Sequence, residues 1–125
     1  MKIYLAGKIS GNANYKRDFA EAKKVVAKMG QDCSILSPAI LPEGMSKADY
    51  MRICFAMVDS ADCVILLPNA NESEGAMLEK KYAEYIGKTV LKLDVKMKRL
   101  FTIEKTPRTI GTLFQKNGVF TKELI

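Results

Sequence analysis

The chain has 125 residues, and its 20 Lys and Arg against 14 Asp and Glu give a formal net charge of +6. A chain of this length fits a single domain with its own hydrophobic core. Histidine is absent, which excludes catalytic triads, general bases and metal sites that depend on imidazole. The positive charge favours anionic partners, either nucleotides or nucleic acids.

The three cysteines, Cys33, Cys54 and Cys63, show no CxxC spacing. They predict neither a disulfide framework nor a thiolate zinc site, and they favour a reducing compartment. No leader of charged and then apolar residues precedes Ile3, and no apolar run approaches the roughly 20 residues that cross a bilayer. We therefore expect a cytoplasmic protein that meets no membrane and holds no metal.

Apolar patterning predicts strands that alternate with helices in the first three quarters of the chain. The predicted strands are Lys2–Ala6, Cys33–Leu36, Cys63–Leu67 and Thr89–Leu93. The predicted helices run from Tyr15 to a stop at Gly30, from Lys47 to about Ala61, and from about Gly75 to Ile86. The expected N-caps are Asn14 for the first helix and Ser46, with Asp49 three residues later, for the second. Gly87 is the expected C-cap of the third helix. In the tail, a further helix would begin at Thr106-Pro107 and end at Asn117-Gly118.

This alternation predicts an α/β fold, a doubly wound, Rossmann-like parallel sheet with helices on both faces. The expected strand order is 2-1-3-4. We expect one domain, with a core over residues 1–93 and a C-terminal extension over residues 94–125 that covers a sheet edge or meets a partner chain.

In doubly wound sheets, ligands bind beyond the carboxyl ends of the strands, where the strand order reverses. That position lies between the first and third strands, so the loops over residues 7–14 and 69–75 should meet there. The second loop enters a helix, where free N–H groups and the Ser73 hydroxyl favour an anion such as phosphate. Gly75 would allow close approach, although a serine before a helix is more often only a cap.

Glu79 should lie on the buried side of the third helix, on one face with Ala76, Ala83 and Ile86. A carboxylate in an apolar stripe must be paired, hydrogen-bonded or left with a raised pKa. The alternative is a stripe rotated by one position, which would place Glu79 on a solvated margin.

The glycine-containing loop after the first strand does not match the common nucleotide fingerprints. Its sequence, GKISGN, lacks the GxGxxG spacing, and the second strand lacks the expected acidic residue. The chain also has no GxxxxGK[ST] sequence. A nicotinamide cofactor is therefore excluded, a P-loop nucleotide hydrolase is disfavoured, and no other cofactor is expected.

Three segments together resemble the nucleoside 2-deoxyribosyltransferase superfamily, and in particular its small bacterial and phage branch labelled DUF4406. The resemblance covers about residues 1–93 in motif order and spacing. The segments are Tyr4-Leu-Ala-Gly7-Lys-Ile-Ser10-Gly11, Tyr50-Met-Arg52-Ile-Cys54 with Ala61-Asp62, and Ser73-x-Gly75-Ala76-x-x-Glu79-x-x-x-Ala83.

The resemblance implies cleavage of the bond between a base and a deoxyribose, by hydrolysis or by transfer to another base, without a cofactor. It implies that Glu79 attacks C1′ as nucleophile and that Tyr4 positions it and assists. It also implies that Ser73 and Gly75 hold a 5′-phosphate in nucleotide-hydrolysing members. A second phosphate-contacting loop would comprise Gly7, Lys8, Ile9, Ser10 and Gly11. A homo-oligomer, at least a dimer, is implied because relatives share pockets between subunits.

Cys54 departs from the family pattern, because many active members carry there an acid that contacts the sugar or base. Asp49 or Asp59 could supply the acid in its place, but on an exposed helix each is more typical of an ordinary surface residue. Asp62, at the opposite end of the third strand, is interpreted as structural.

Two classes of function therefore stay open beside the leading one, a glycosidase acting on a 2′-deoxynucleoside or its 5′-monophosphate. The first is a catalytically silent protein that binds or sequesters a nucleotide. The second is a nucleic-acid accessory protein that uses the basic stretch Lys92–Arg108, which is disfavoured because Phe101 is the one aromatic residue within it.

Overall fold

The computed structural model describes residues 1–30 and 32–102, and the backbone of residues 120–121. The strands are β1 (Lys2–Ala6), β2 (Ser34–Leu36), β3 (Cys63–Leu66), β4 (Thr89–Asp94), β5 (Arg99–Thr102) and β6 (Phe120–Thr121). The helices are α1 (Tyr15–Met29), α2 (Lys47–Ser60) and α3 (Glu74–Tyr85), with short 3-10 turns at Pro38–Ile40 and Ala70–Glu72. The predicted helix between Thr106 and Gly118 lies outside the described residues.

The strands form a sheet in the order β2-β1-β3-β4-β5-β6. The pairs of β1 with β2, β1 with β3 and β3 with β4 are all parallel, which confirms the doubly wound α/β fold and the predicted order 2-1-3-4. β1 and β3 are neighbours at the point where the strand order reverses, so the loops that follow them open at the same edge.

β5 is a strand that the apolar pattern of the sequence does not predict. It pairs antiparallel with β4 and extends the sheet. The connecting turn places the Asp94 side chain 3.1 Å from the backbone N–H of Met97, which donates to it, and Lys98 has a left-handed φ of 51°. The turn contains no glycine, so it lacks the usual sequence signal of a hairpin.

The two faces of the sheet carry separate hydrophobic clusters, because side chains alternate along each strand. Ile3 and Leu5 of β1 point to the α1 face, whereas Tyr4 and Ala6 point to the face covered by α2 and α3. The second cluster consists of Tyr4, Ala6, Cys54, Val58, Ala61, Val64, Leu66, Ala70, Ala76, Ala83 and Val90. This alternation places Tyr4 under the same helices that carry Cys54 and Glu79.

Contacts between α2 and α3 fix the two helices against each other. The rings of Phe55 and Tyr82 stack with centroids 4.6 Å apart and planes 5° from parallel. The Tyr82 hydroxyl donates to Asp59 Oδ1 at 2.6 Å, and Lys88 Nζ donates to the Asp59 carbonyl oxygen at 2.9 Å. Asp59 therefore has an interhelical role, as expected of a residue outside the site.

Two details at the helix ends differ from prediction. Asn14 occupies the N-cap position of α1, but its side chain makes no capping bond. Instead Asn12 accepts from the Asn14 N–H and donates to Asp18, both at 3.0 Å. At the C-terminal end of α3, Ile86 is 38% exposed, so the apolar stripe of α3 is one turn shorter than predicted.

The capping prediction for α2 is confirmed, since the Ser46 hydroxyl accepts the N–H of Asp49 at 3.1 Å. None of the helices in the described part of the chain has the length and apolar character that a bilayer crossing requires.

Candidate active site

Tyr4, Cys54 and Glu79 lie together between the sheet and the two helices on its second face. Tyr4 comes from β1, Cys54 from α2 and Glu79 from α3, and the exposed fractions of these residues are 0%, 5% and 5%. Glu79 therefore lies on the buried side of α3 with Ala76 and Ala83. The alternative in which Glu79 occupies a solvated margin is wrong.

Burial raises the pKa of the Glu79 carboxyl to about 7, because the surroundings disfavour its charged form. Tyr4 and Cys54 act in the opposite direction, because these nearby polar groups favour the charged form of the carboxyl and so lower its pKa. Near neutral pH, Glu79 is consequently a carboxylate for part of the time and a carboxylic acid for the rest. Such a group can act as a nucleophile or transfer a proton.

The Tyr4 hydroxyl is fully buried and makes no hydrogen bond of standard geometry with any described residue. It nevertheless lies close enough to Glu79 and Cys54 for the three groups to alter one another's ionisation. The Tyr4 hydroxyl can therefore still donate a hydrogen to a ligand. Burial, then Glu79 and Cys54, raise the pKa of Tyr4 well above its ordinary value, so it stays protonated.

The two loops at the strand ends meet as predicted. The backbone N–H of Lys8 donates to the Asn69 side chain at 3.1 Å, and Lys8 Nζ lies 3.7 Å from a carboxylate oxygen of Glu72. Ser10 is exposed, and Gly11 has a left-handed φ of 75° in a turn closed by the Asn12 N–H. Ile9 packs against the hydrophobic cluster on the α1 face.

Ser73 caps α3, since its hydroxyl oxygen accepts the N–H of Ala76 at 3.1 Å. The hydroxyl hydrogen can still donate to a ligand. Glu72 and Glu74 carry carboxylates on either side of Ser73, and Lys8 pairs with the first of them. A phosphate at this helix end would thus gain from the backbone N–H groups but meet two negative charges.

The predicted phosphate-loop glycines differ in what surrounds them. A Cβ added to Gly7 would lie 2.9 Å from Leu67 Cδ2 and 3.1 Å from Phe19 Cζ. A Cβ on Gly75 would meet only Met51 Sδ at 3.6 Å and Ser73 Oγ at 3.8 Å, both ordinary contacts. Packing thus requires glycine at position 7 but leaves room for a side chain at position 75.

We expect Gly7→Ala to lower the free energy of unfolding by about 1–3 kcal/mol, because overpacking forces neighbouring groups apart. Gly75→Ala is expected to be neutral or to stabilise by up to about 1 kcal/mol, because alanine favours a helix over glycine. Chemical denaturation of both variants measures the difference. A larger loss for Gly75→Ala than for Gly7→Ala would contradict the packing described here.

The other acidic candidates lie outside the site. Asp49 is exposed and pairs with Arg52 at 2.9 Å. Asp62 accepts the backbone N–H of Lys2 at 2.8 Å, at the opposite end of β1, which confirms its structural role. Neither Asp49 nor Asp59 supplies an acid beside Glu79, and the thiol of Cys54 is the group found there.

Among the described residues, no group of three or more His, Cys, Asp or Glu side chains could hold a metal ion. A cavity of about 570 Å³ opens beside the carboxyl ends of β3 and β4, with Asp18, Asn69 and Lys92 in its lining, but neither Tyr4 nor Glu79 lines it. Cavity size therefore does not identify the candidate site, which rests on the buried titratable groups.

The profile of the family described as "Domain of unknown function (DUF4406)" matches residues 1–92. The chain belongs to the DUF4406 family. The matched region contains β1 to α3 and the first four residues of β4, and with them Tyr4, Cys54, Glu79 and both loops. The DUF4406 region thus includes every residue of the candidate site.

Among solved structures, the DUF4406 chain is similar to a 2-deoxyribosyltransferase from the psychrotolerant bacterium Bacillus psychrosaccharolyticus. That enzyme is described as a biocatalyst for the synthesis of antiviral and antitumoral nucleosides. The TM-score is 0.58 at 18% identity, over 94% of this chain and 82% of the other. This similarity shows a shared fold. A search of curated proteins finds no match.

Proposed function

We propose that this protein cleaves or transfers the N-glycosidic bond of a 2′-deoxynucleoside or its 5′-monophosphate, with Glu79 as nucleophile. The observation that carries the proposal is a buried carboxylate beside a buried tyrosine hydroxyl that lacks a partner in the described chain. The shared fold with a 2-deoxyribosyltransferase supports the same reaction class.

The proposed reaction has two steps at C1′ of the sugar. A Glu79 carboxylate oxygen bonds to C1′ while the C1′–N bond breaks, and its electron pair leaves with the base, which takes a proton from water. Water or the nitrogen of a second base then bonds to C1′. The ester bond breaks, its electron pair returns to Glu79, and the attacking group releases a proton to solvent.

The neighbours of Glu79 suit this reaction as hydrogen donors but not as acids. The pKa of Tyr4 is raised well above its ordinary value, and burial raises that of Cys54 to about 11. At neutral pH both groups keep their protons, so they can stabilise the Glu79 carboxylate but transfer a proton poorly to the leaving base. We therefore expect faster cleavage with bases that are good leaving groups.

A base-release screen tests the proposal. The protein is incubated with each 2′-deoxynucleoside and each 5′-monophosphate, with and without a second free base, and products are separated by chromatography. Free base alone indicates a hydrolase, and a new nucleoside indicates a transferase. Absence of both from every substrate would overturn the proposal.

Cys54 favours one alternative, a nucleotide-binding protein without catalysis, because a neutral thiol stands where the family resemblance implies an acid. Calorimetric titration with the same nucleosides and nucleotides separates the two functions, since binding without base release would indicate sequestration. The homo-oligomer, the cytoplasmic location and the single domain over residues 1–125 stay predictions.

Variants of Ser73 test whether the start of α3 binds a phosphate. Ser73→Ala removes the cap and should lower the free energy of unfolding by about 1 kcal/mol, whereas aspartate is an equally good cap. We expect both variants to weaken the binding of a 5′-monophosphate more than that of its nucleoside. In Ser73→Asp the carboxylate repels the phosphate, while the retained cap keeps the stability unchanged. Equal losses for nucleoside and monophosphate would contradict a phosphate role.

A further inference from the structure

The outer face of α3 carries a stripe of exposed side chains that the proposed reaction does not use. The exposed residues of this helix are Glu74, Leu78, Lys81 and Tyr85. They are spaced four, three and four residues apart, so they form one line along the helix. Leu78 is 51% exposed and Tyr85 is 90% exposed. The stripe lies on the side of α3 that faces away from the buried Glu79.

The composition of the stripe differs from that of an ordinary solvated helix face. Exposed apolar residues that occur singly are common, whereas neighbouring ones mark an interaction surface, and tyrosine is enriched there. Lys80 and Glu84 on the same helix pair with each other at 3.5 Å. Within the described part of the chain, neither Glu74 nor Lys81 forms an ion pair. The stripe therefore presents two apolar groups and two unpaired charges of opposite sign.

The order of these residues makes the stripe complementary to itself. Spacings of four and three residues are those by which two helices pack along a seam. In an antiparallel pair with a two-fold axis between Leu78 and Lys81, Leu78 lies opposite Lys81 of the partner subunit. Glu74 then lies opposite Tyr85 of the partner subunit. The methylene stem of lysine covers the leucine, and the tyrosine hydroxyl donates to the carboxylate. Each contact forms twice, which favours a second copy of this chain over an unrelated partner.

A cavity of about 310 Å³ opens at the start of α3, where the antiparallel pair would bring the partner subunit's Tyr85. Ser73, Glu74, Met77 and Leu78 are among the residues that line it. A tyrosine side chain needs an apolar surface for its ring and a polar partner for its hydroxyl. Met77 and Leu78 supply the first, and Glu74 supplies the second. One end of the stripe thus carries an exposed tyrosine, and the other end carries a cavity of matching chemistry.

We propose that this protein forms a two-fold dimer through the outer face of α3, in which Tyr85 of each subunit enters the cavity lined by Ser73 and Glu74 of the other. The dimer places a residue of one subunit beside Ser73, at the start of the helix that carries Glu79. The proposal does not depend on the glycosidase reaction, because assembly is measured without substrate.

Sedimentation over a concentration series compares the wild type with Leu78→Ser and Tyr85→Ser. The wild type should have twice the 13.9 kDa mass of one chain. Each substitution acts twice in a two-fold interface, so each should raise the dimer dissociation constant by at least about 30-fold. Circular dichroism should be unchanged, because both positions are exposed. Ile40→Ser is the matched control, since Ile40 is 78% exposed and lies outside α3.

Crosslinking tests the register of the two helices. Glu74→Cys and Tyr85→Cys are made separately with Cys33→Ser, because Cys33 is partly exposed while Cys54 and Cys63 are buried. A bismaleimide about 8–10 Å long matches the distance between packed helix axes. It should join subunits when the two variants are mixed and not when either is alone. In the pair, each Tyr85 lies about 16 Å along the helix from Tyr85 of the partner subunit.

A wild type that is monomeric at every concentration would overturn the proposal. So would a dimer that Ile40→Ser weakens as much as Tyr85→Ser, or crosslinking of Tyr85→Cys alone at the level of the mixture. Base release by a monomeric wild type would retain the glycosidase and reject the interface. The expected crosslink in a protein that releases no base would retain the interface and reject the glycosidase.

Discussion

Glu79→Gln is expected to reduce base release by at least about 10³-fold, because an amide oxygen cannot form the glycosyl ester that the carboxylate forms. The substitution keeps the shape of the side chain and its place beside Tyr4 and Cys54. Loss of activity should therefore appear in kcat with the fold intact, as circular dichroism would show. Glu79→Ala should be equally inactive.

The matched control is Glu84→Gln, on the same helix. Glu84 is partly buried and pairs with Lys80 at 3.5 Å, away from Tyr4 and Cys54. We expect this variant to keep wild-type activity within about threefold, since a partly exposed ion pair contributes little. Equal activity of Glu79→Gln and Glu84→Gln would show that Glu79 takes no part in the reaction.

The second large effect concerns stability, because Glu79 should destabilise the folded protein at neutral and alkaline pH. Its pKa is about 7 when folded, against an ordinary value of 4.5 that applies to the unfolded chain. Below pH 4.5 both states bind the proton, so there is no cost. Between pH 4.5 and 7 the unfolded chain releases the proton while the folded protein keeps it, so stability falls as pH rises.

Above pH 7 the cost is constant and amounts to about 3 kcal/mol. Glutamine cannot ionise, so Glu79→Gln should gain about that much stability relative to wild type between pH 4.5 and pH 8. Urea unfolding at several pH values measures the difference. A difference between Glu79→Gln and wild type that does not vary with pH would contradict burial of an ionisable group here.

Together these two results would distinguish a functional carboxylate from a structural one. A group kept for stability should cost stability when it is removed, whereas Glu79→Gln should remove activity and increase stability. Such opposite effects on activity and stability are expected where a protein retains a buried ionisable group for its reaction.

Much of the fold follows from local sequence patterns. The apolar run of β3 and the alternation of strands with helices are short-range signals, and they predict the parallel sheet. The position of Glu79 follows from helical spacing to Ala76 and Ala83. Ile86 does not follow that spacing, because α3 ends at Tyr85 and the next residue turns outward.

Other features depend on contacts between distant parts of the chain. Asn12 replaces Asn14 at the start of α1 because its side chain also reaches Asp18. β5 depends on a turn formed by Asp94 and Lys98 without glycine. The sequence places Cys54 on a helix, but its contact with Glu79 depends on how α2 and α3 pack, which no local pattern specifies.

The most direct test of Glu79 as nucleophile is peptide mass spectrometry after incubation with 2′-deoxy-2′-fluoroarabinosyl nucleosides and their 5′-monophosphates. Fluorine disfavours positive charge on the sugar ring, so the covalent intermediate should accumulate. We expect one fluorinated sugar on the peptide that contains Glu79, one equivalent of free base, and no adduct in Glu79→Gln. An adduct on another residue, or base release by Glu79→Gln at the wild-type rate, would contradict it.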